Sequence, residues 1–216
     1  NNVFQTKGSA AILMNIDNGN ILSLVSLPDF DPNRRENIKD KNYINKITKG
    51  VYELGSVFKT FTLAAALDEN LIKVDTKFLD LEKSINCGKN TIREYDKKIP
   101  KDLTAEEILI RSGNIGSVRI GQKIGVEKFK YFLTKINVIN KIEFDIDETG
   151  IPIPFKWGKC KLATISFGHG ITTTPLQLAK GYAIISNGGF EINPTIIRKN
   201  KKRLIKYKKR IIKENV

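Results

Sequence analysis

The stretch "YELGSVFKTFTLAAAL", residues 52–67, places a glycine, a serine and, three positions later, a lysine at the start of a run that is otherwise nearly all apolar. From Ser56 to about Leu67 the apolar residues leave no polar stripe, and Ala64, Ala65 and Ala66 are strong helix formers, so the run predicts a central helix surrounded by other structure. Residues i and i+3 of a helix share a face with Cβ atoms roughly 5–6 Å apart, so the Ser56 hydroxyl and the Lys59 amine are able to meet. A lysine desolvated in an apolar face loses affinity for its proton, and the neutral amine is then able to take a proton from serine. Unpaired backbone N–H groups at a helix start stabilise an oxyanion, and Gly55 gives the preceding turn its steric freedom. The plain alternative is a capping serine followed by a lysine that snorkels to solvent, and S-x-x-K alone does not separate the two.

On the N-terminal side, residues 8–27 read as a β-hairpin: two β-prone runs flank Asp17-Asn18-Gly19-Asn20, and Asn-Gly between apolar runs is a strong turn signal. The polar stretch after it, broken by Pro28 and Pro32, reads as a loop leading toward the serine. Beyond the central helix, residues 70–150 carry helix signals. Thr104-Ala105-Glu106-Glu107 fits a capping box, and "VEKFKYFLTKI" from Val126 has apolar spacing near 3.6. Thr174-Pro175 predicts an N-cap with proline at the first helical position, and the run after it stops at Asn187-Gly188-Gly189. Strands flanking a mostly helical middle give an α+β fold in one domain over residues 1–216.

The chain's 216 residues and 40% hydrophobic content suffice for a sizeable core. No apolar run approaches the roughly 20 residues that span a bilayer. The net charge of +14 invites a nucleic-acid reading, but ten Lys or Arg and no acid fall between Arg198 and Lys213, so the rest of the chain is much closer to balance. With no zinc-finger spacing, aromatic RNA-binding signature or recognition helix, the expectation is no nucleic-acid partner and a solvated basic surface or one facing an anionic membrane or wall polymer. Cys87 and Cys160 are far apart and have no C-x-x-C partner, which suggests no metal site. One disulfide between them stays open, and two free buried thiols are the favoured reading. A single histidine, His169, makes a histidine triad or a multi-histidine metal site an unsuitable explanation.

A second piece of chemistry is Ser112-Gly113-Asn114 in "LIRSGNIGSVRIG", between two predicted helices. Residues i and i+2 of an extended loop project to the same side, so a hydroxyl and a carboxamide are able to reach one cleft. Alone the tripeptide reads as a turn. S-x-x-K followed by S-x-N is far more specific, being the first two elements of the serine penicillin-recognising enzymes. The chain resembles the transpeptidase domain of class B penicillin-binding proteins, closest to the cell-division type, over nearly its whole length. "GNILSLVSLPDFDPN" is similar to the family's first hairpin and its exit. "ATISFGHGITTTPLQLAKGYAIISNGG" is similar to the segment preceding its third motif, which makes His169 a structural residue.

The resemblance implies a peptidoglycan D,D-transpeptidase. Ser56 would attack the carbonyl between the terminal D-alanines of a stem peptide, with Lys59 removing its proton. Ser112 would pass a proton to the leaving amine, and Asn114 would hydrogen-bond the substrate amide. It further implies acylation by β-lactams, no metal or organic cofactor, and a role in septal wall synthesis with other division proteins. The implied location is the periplasmic face of the bacterial inner membrane, held through a segment outside this chain. The family's third element, K-[TS]-G, is absent: Lys59-Thr60 runs into Phe61 and Lys83-Ser84 into Ile85. The expectation is therefore a partial domain whose C-terminal strands lie beyond residue 216. Rival readings are a serine β-lactamase or β-lactam sensor, for which no glutamate-bearing loop of the class A kind is found, and a catalytically dead division scaffold, against which both Ser56 and Lys59 argue.

Overall fold

The computed structural model describes residues 5–31, 33–34, 43–88, 90–197 and 209–216. Most of the basic tail, and part of the polar loop after the hairpin, lie outside the described residues. The chain divides into two compact units. The first comprises Asn1–Tyr52, Ile136–Ile153 and Thr173–Ile211, and the second Glu53–Lys135, Pro154–Thr172 and Ile212–Val216.

In the first unit, β1 (Ser9–Met14) and β2 (Ile21–Leu27) form the expected antiparallel hairpin, with Ser9 opposite Leu27 and Ile12 opposite Leu24. The connection is wider than a two-residue turn. Asn15 closes it, its side-chain oxygen accepting from the N–H groups of Asp17 and Asn18 and its backbone carbonyl from Gly19. Ile12, Ile21 and Leu24 pack on a small core of Ile47, Ile142 and Leu176, while Leu13, Leu22 and Val25 on the alternate positions stay exposed. Leu176 belongs to the last helix, α6 (Pro175–Ser186), which begins as its sequence predicts. Thr174 and Gln177 form a reciprocal capping box, proline occupies the first turn, and Gly188 and Gly189 adopt positive φ just past the end.

The second unit is built on α1 (Lys59–Asp68), where Phe61, Ala64, Ala65 and Ala66 are all buried. An all-round apolar helix needs neighbours on every side. It has them in α2 (Ala105–Ile110), α3 (Asn114–Ile124) and α4 (Val126–Lys135), and α3 also packs on α5 (Lys159–Ile165). The capping box at Thr104 forms as its spacing predicts, and α4 buries Phe129, Phe132 and Leu133 on one stripe.

Three expectations are corrected here. The helix does not start at Ser56: Gly55–Phe58 is a 3-10 turn, and α-helical hydrogen bonding begins at Lys59. The middle of the chain also holds two short antiparallel pairs, β3 (Lys77–Phe78) with β6 (Leu103–Thr104), and the hairpin of β4 (Ser84–Cys87) with β5 (Asn90–Arg93). Strands of two to four residues leave too little alternation to read against a helical background. The favoured reading of two free buried thiols fails on both counts. Cys87 and Cys160 are joined in a disulfide with Cα atoms 5.3 Å apart, and Cys160 is exposed. The fold class is the α+β expected.

Candidate active site

Ser56 sits in the 3-10 turn that leads into α1, after Gly55 in the left-handed region at φ 65°. The turn exposes Ser56, while the next residue on the same face, Lys59, is only 2% exposed. Ser56 lines a cleft of about 300 Å³ together with Glu53, Lys59, Tyr95, Ser112, Asn114 and His169. The two motifs separated by more than fifty residues of sequence thus face one space within a single unit.

The direct link between the motifs is Lys59. Its ammonium donates to the backbone oxygen of Ser112 at 2.5 Å and to Ser112 Oγ at 2.9 Å. Burial pulls the Lys59 amine down from 10.5 to about 8, against the opposing pull of the Glu94 carboxylate, which favours the charged form. The expected contact of Ser56 with Lys59 is not a hydrogen bond here. The lysine bonds to Ser112 instead, with Ser56 beside it on the cleft wall. Ser112 reaches this position because its backbone is left-handed, at φ 53°, an uncommon conformation for a residue with a side chain. It turns both oxygens of Ser112 back toward α1.

Asn114 is the first residue of α3, not part of an extended loop. Its side-chain amide donates to the Arg93 carbonyl at 2.9 Å, so β5 fixes its orientation toward the cleft. The same strand end supplies Glu94, whose carboxylate accepts from the N–H groups of Asn114 at 2.6 Å and Ile115 at 2.9 Å. Sequence reasoning missed Glu94. It directly follows a short strand unseen in the pattern, and no spacing ties it to a motif twenty residues later.

His169 stands on the cleft wall. Its Nδ1 lies 2.6 Å from Glu53 Oε1, and its ring runs parallel to Phe167 with centroids 6.0 Å apart. The glycine before it makes the arrangement possible: a Cβ on Gly168 would come within 1.9 Å of the Gly55 carbonyl oxygen. The segment 167–169 therefore lies flat against the turn that carries Ser56. Thr62 holds α1 to the same region by donating to the Ser166 carbonyl at 2.9 Å. Among the described residues no group of three His, Cys, Asp or Glu is placed to hold a metal ion.

Fold and site together define a class of proteins, those that set a serine on the turn before a helix and a buried lysine just inside it, with a second serine brought in from a distant loop. Residues 9–216 match the penicillin binding protein transpeptidase domain, and the chain belongs to that family. It is 32% identical over 197 residues to the probable peptidoglycan D,D-transpeptidase FtsI of Caulobacter vibrioides, an alignment covering 91% of this chain and 33% of that protein. It is 31% identical over 200 residues to the stage V sporulation protein D of Bacillus subtilis, covering 90% of this chain and 31% of that one. The chain spans about a third of the length of these relatives. Among solved structures, the apo transpeptidase domain of penicillin-binding protein 3 from Burkholderia pseudomallei shares the fold, with a TM-score of 0.83 at 23% identity over 99% of this chain and 60% of that one. This places the α+β frame among the penicillin-binding transpeptidase folds.

Proposed function

We propose that the chain is the acyl-transfer domain of a peptidoglycan D,D-transpeptidase that serves cell division. The observation that carries this reading is the pair of hydrogen bonds from buried Lys59 to Ser112, beside exposed Ser56, in a chain of this family. With its affinity for protons lowered by burial, Lys59 takes the Ser56 proton as the oxygen attacks the carbonyl of the penultimate D-alanine. The C–N bond then breaks, Ser112 passes a proton from Lys59 to the departing amine, and D-alanine leaves behind an ester on Ser56. An amine from a second stem peptide attacks that ester, forming the cross-link and returning the proton. Asn114 donates or accepts at the substrate amide. A β-lactam carries a strained amide to the same serine and stays attached as an ester.

The proposal includes a K-[TS]-G strand that is not among these 216 residues and that would bind the substrate carboxylate. It also places the domain on the periplasmic side of the inner membrane, among other division and wall-synthesis proteins. The Cys87–Cys160 disulfide supports an oxidising compartment.

The test is to treat protein from its native source with penicillin and to read its tryptic peptides by mass spectrometry. The adduct should fall on the peptide 50–59, "GVYELGSVFK". An adduct on Ser112, or on no serine, overturns the assignment, and rapid nitrocefin turnover instead of one slow acylation would mean a lactamase. Fluorescent-penicillin labelling of the 216-residue chain beside one continued through a K-[TS]-G strand tests the remainder. Equal labelling of the two would remove that strand from the proposal.

A further inference from the structure

The second motif is held in place from outside itself. Three hydrogen bonds run from it to the end of β5: the Asn114 side-chain amide to the Arg93 carbonyl, and the N–H groups of Asn114 and Ile115 to the two oxygens of Glu94. The N-cap position of α3 is Gly113, which has no side chain and makes no cap, so Glu94 takes over the capping work from a different strand. On the other side, Ser112 accepts two hydrogen bonds from Lys59. Hydrogen bonds thus hold the strand end to the start of α3 and Lys59 to Ser112, with only Gly113 between the two, and the outer anchor is a half-buried carboxylate.

We infer that Glu94 is a positioning residue for the serine–lysine site, fixing the left-handed turn at Ser112 by capping α3 from outside. The inference rests on the acyl-transfer reading for its purpose but not for its geometry. The same carboxylate also favours the charged form of Lys59, an effect with a separate physical cause. The cap needs two acceptor oxygens at the right reach, whereas the effect on Lys59 needs only the negative charge. Without that charge the ammonium loses a favourable partner, and a group already weakened by burial weakens further. The titratable or charged groups that line the cleft beside Lys59 are Glu53 and His169, which pair with each other, and Tyr95, Asp96 and Arg111.

The experiment compares Glu94→Gln and Glu94→Asp with the parent chain by two readouts that use no β-lactam. Competitive acetylation at a series of pH values, followed by mass spectrometry of the Lys59 peptide, gives the titration midpoint of the amine. Hydrogen exchange gives the protection of the Asn114 and Ile115 amides. Glutamine keeps the shape and one acceptor oxygen but not the charge, so Glu94→Gln should lower the Lys59 midpoint. It should also speed exchange at one or both amides by roughly fivefold to tenfold. Aspartate keeps the charge on a shorter arm, so Glu94→Asp should speed exchange and move the midpoint much less. Equal exchange in all three proteins would overturn the capping role. A Lys59 midpoint that is unmoved by Glu94→Gln, or that moves as far with aspartate as with glutamine, would overturn the charge role. Because neither readout involves acylation, these failures leave the Ser56 assignment intact, and that assignment stands or falls separately on where penicillin attaches in the protein from its native source.

Discussion

Lys59 is asked to be two things at once, a base that gives up its proton readily and a donor that holds Ser112, and its buried surroundings allow both. With burial setting its proton affinity at about 8, a minority of molecules near neutrality carry the free amine, and the fraction grows as pH rises. Acylation of the protein that carries the third motif should therefore speed up from pH 6.5 to about 8 and level off above it. Lys59→Arg keeps a cation in the cleft that stays protonated, and should lower the acylation rate by a hundredfold or more. Stopped-flow measurement with a fluorescent penicillin checks both, and a flat pH profile or near-normal acylation by the arginine variant would exclude Lys59 as the base. The identity of this residue was open to sequence reasoning because a lysine in an apolar helix face is a local anomaly. Its partner was only half visible. Three-residue spacing pointed from Lys59 to Ser56, but the bonds formed go to Ser112, fifty-three positions away, through a left-handed backbone that no short-range pattern announces.

At the level of elements, the long periodic pieces were legible and the short ones were not. The α1 run, the capping boxes at Thr104 and Thr174 and the stripe of α4 each state their structure within a dozen residues, since helix hydrogen bonds and caps are local. The β4–β5 hairpin depends on distant support, including the disulfide from Cys87 to Cys160 across 73 positions, and the cleft depends on it in turn through Arg93 and Glu94. The segment 167–169 is another long-range piece. Gly168 combines φ 86° with direct backing on the Gly55 carbonyl, so even one methyl group has nowhere to go. Gly168→Ala should force the serine turn and this segment apart, costing on the order of 1–3 kcal/mol in stability and slowing acylation more than it weakens the fold. Thermal melting together with penicillin labelling measures both. A variant as stable and as readily labelled as the parent would show that the two backbones are not held together in solution.

Each unit of the molecule buries a lysine whose affinity for protons is lowered by burial, Lys59 in the second unit and Lys180 in the first. Lys180 is 4% exposed and donates to Asn193 Oδ1 at 2.9 Å, with the Glu191 and Glu143 carboxylates partly restoring its charge. The sign of the resulting pH dependence follows from proton counting. In the unfolded chain both amines return to their ordinary value of 10.5, whereas folded Lys59 releases its proton near 8. Between these values the unfolded state binds more protons, so stability rises with pH across the window and is lowest below it, where both states are charged and only the folded one bears the cost of burial. The two lysines share no partner, so their contributions should add. Urea unfolding at pH 7.5 and 9.5 should show the parent chain gaining stability over that interval. Lys59→Met and Lys180→Met should each flatten the gain, and the double variant should nearly abolish it. If the gain persists in the double variant, or if the parent loses stability between the two pH values, burial is not what weakens these lysines' hold on their protons. The base proposed for the cleft would then lack its physical cause.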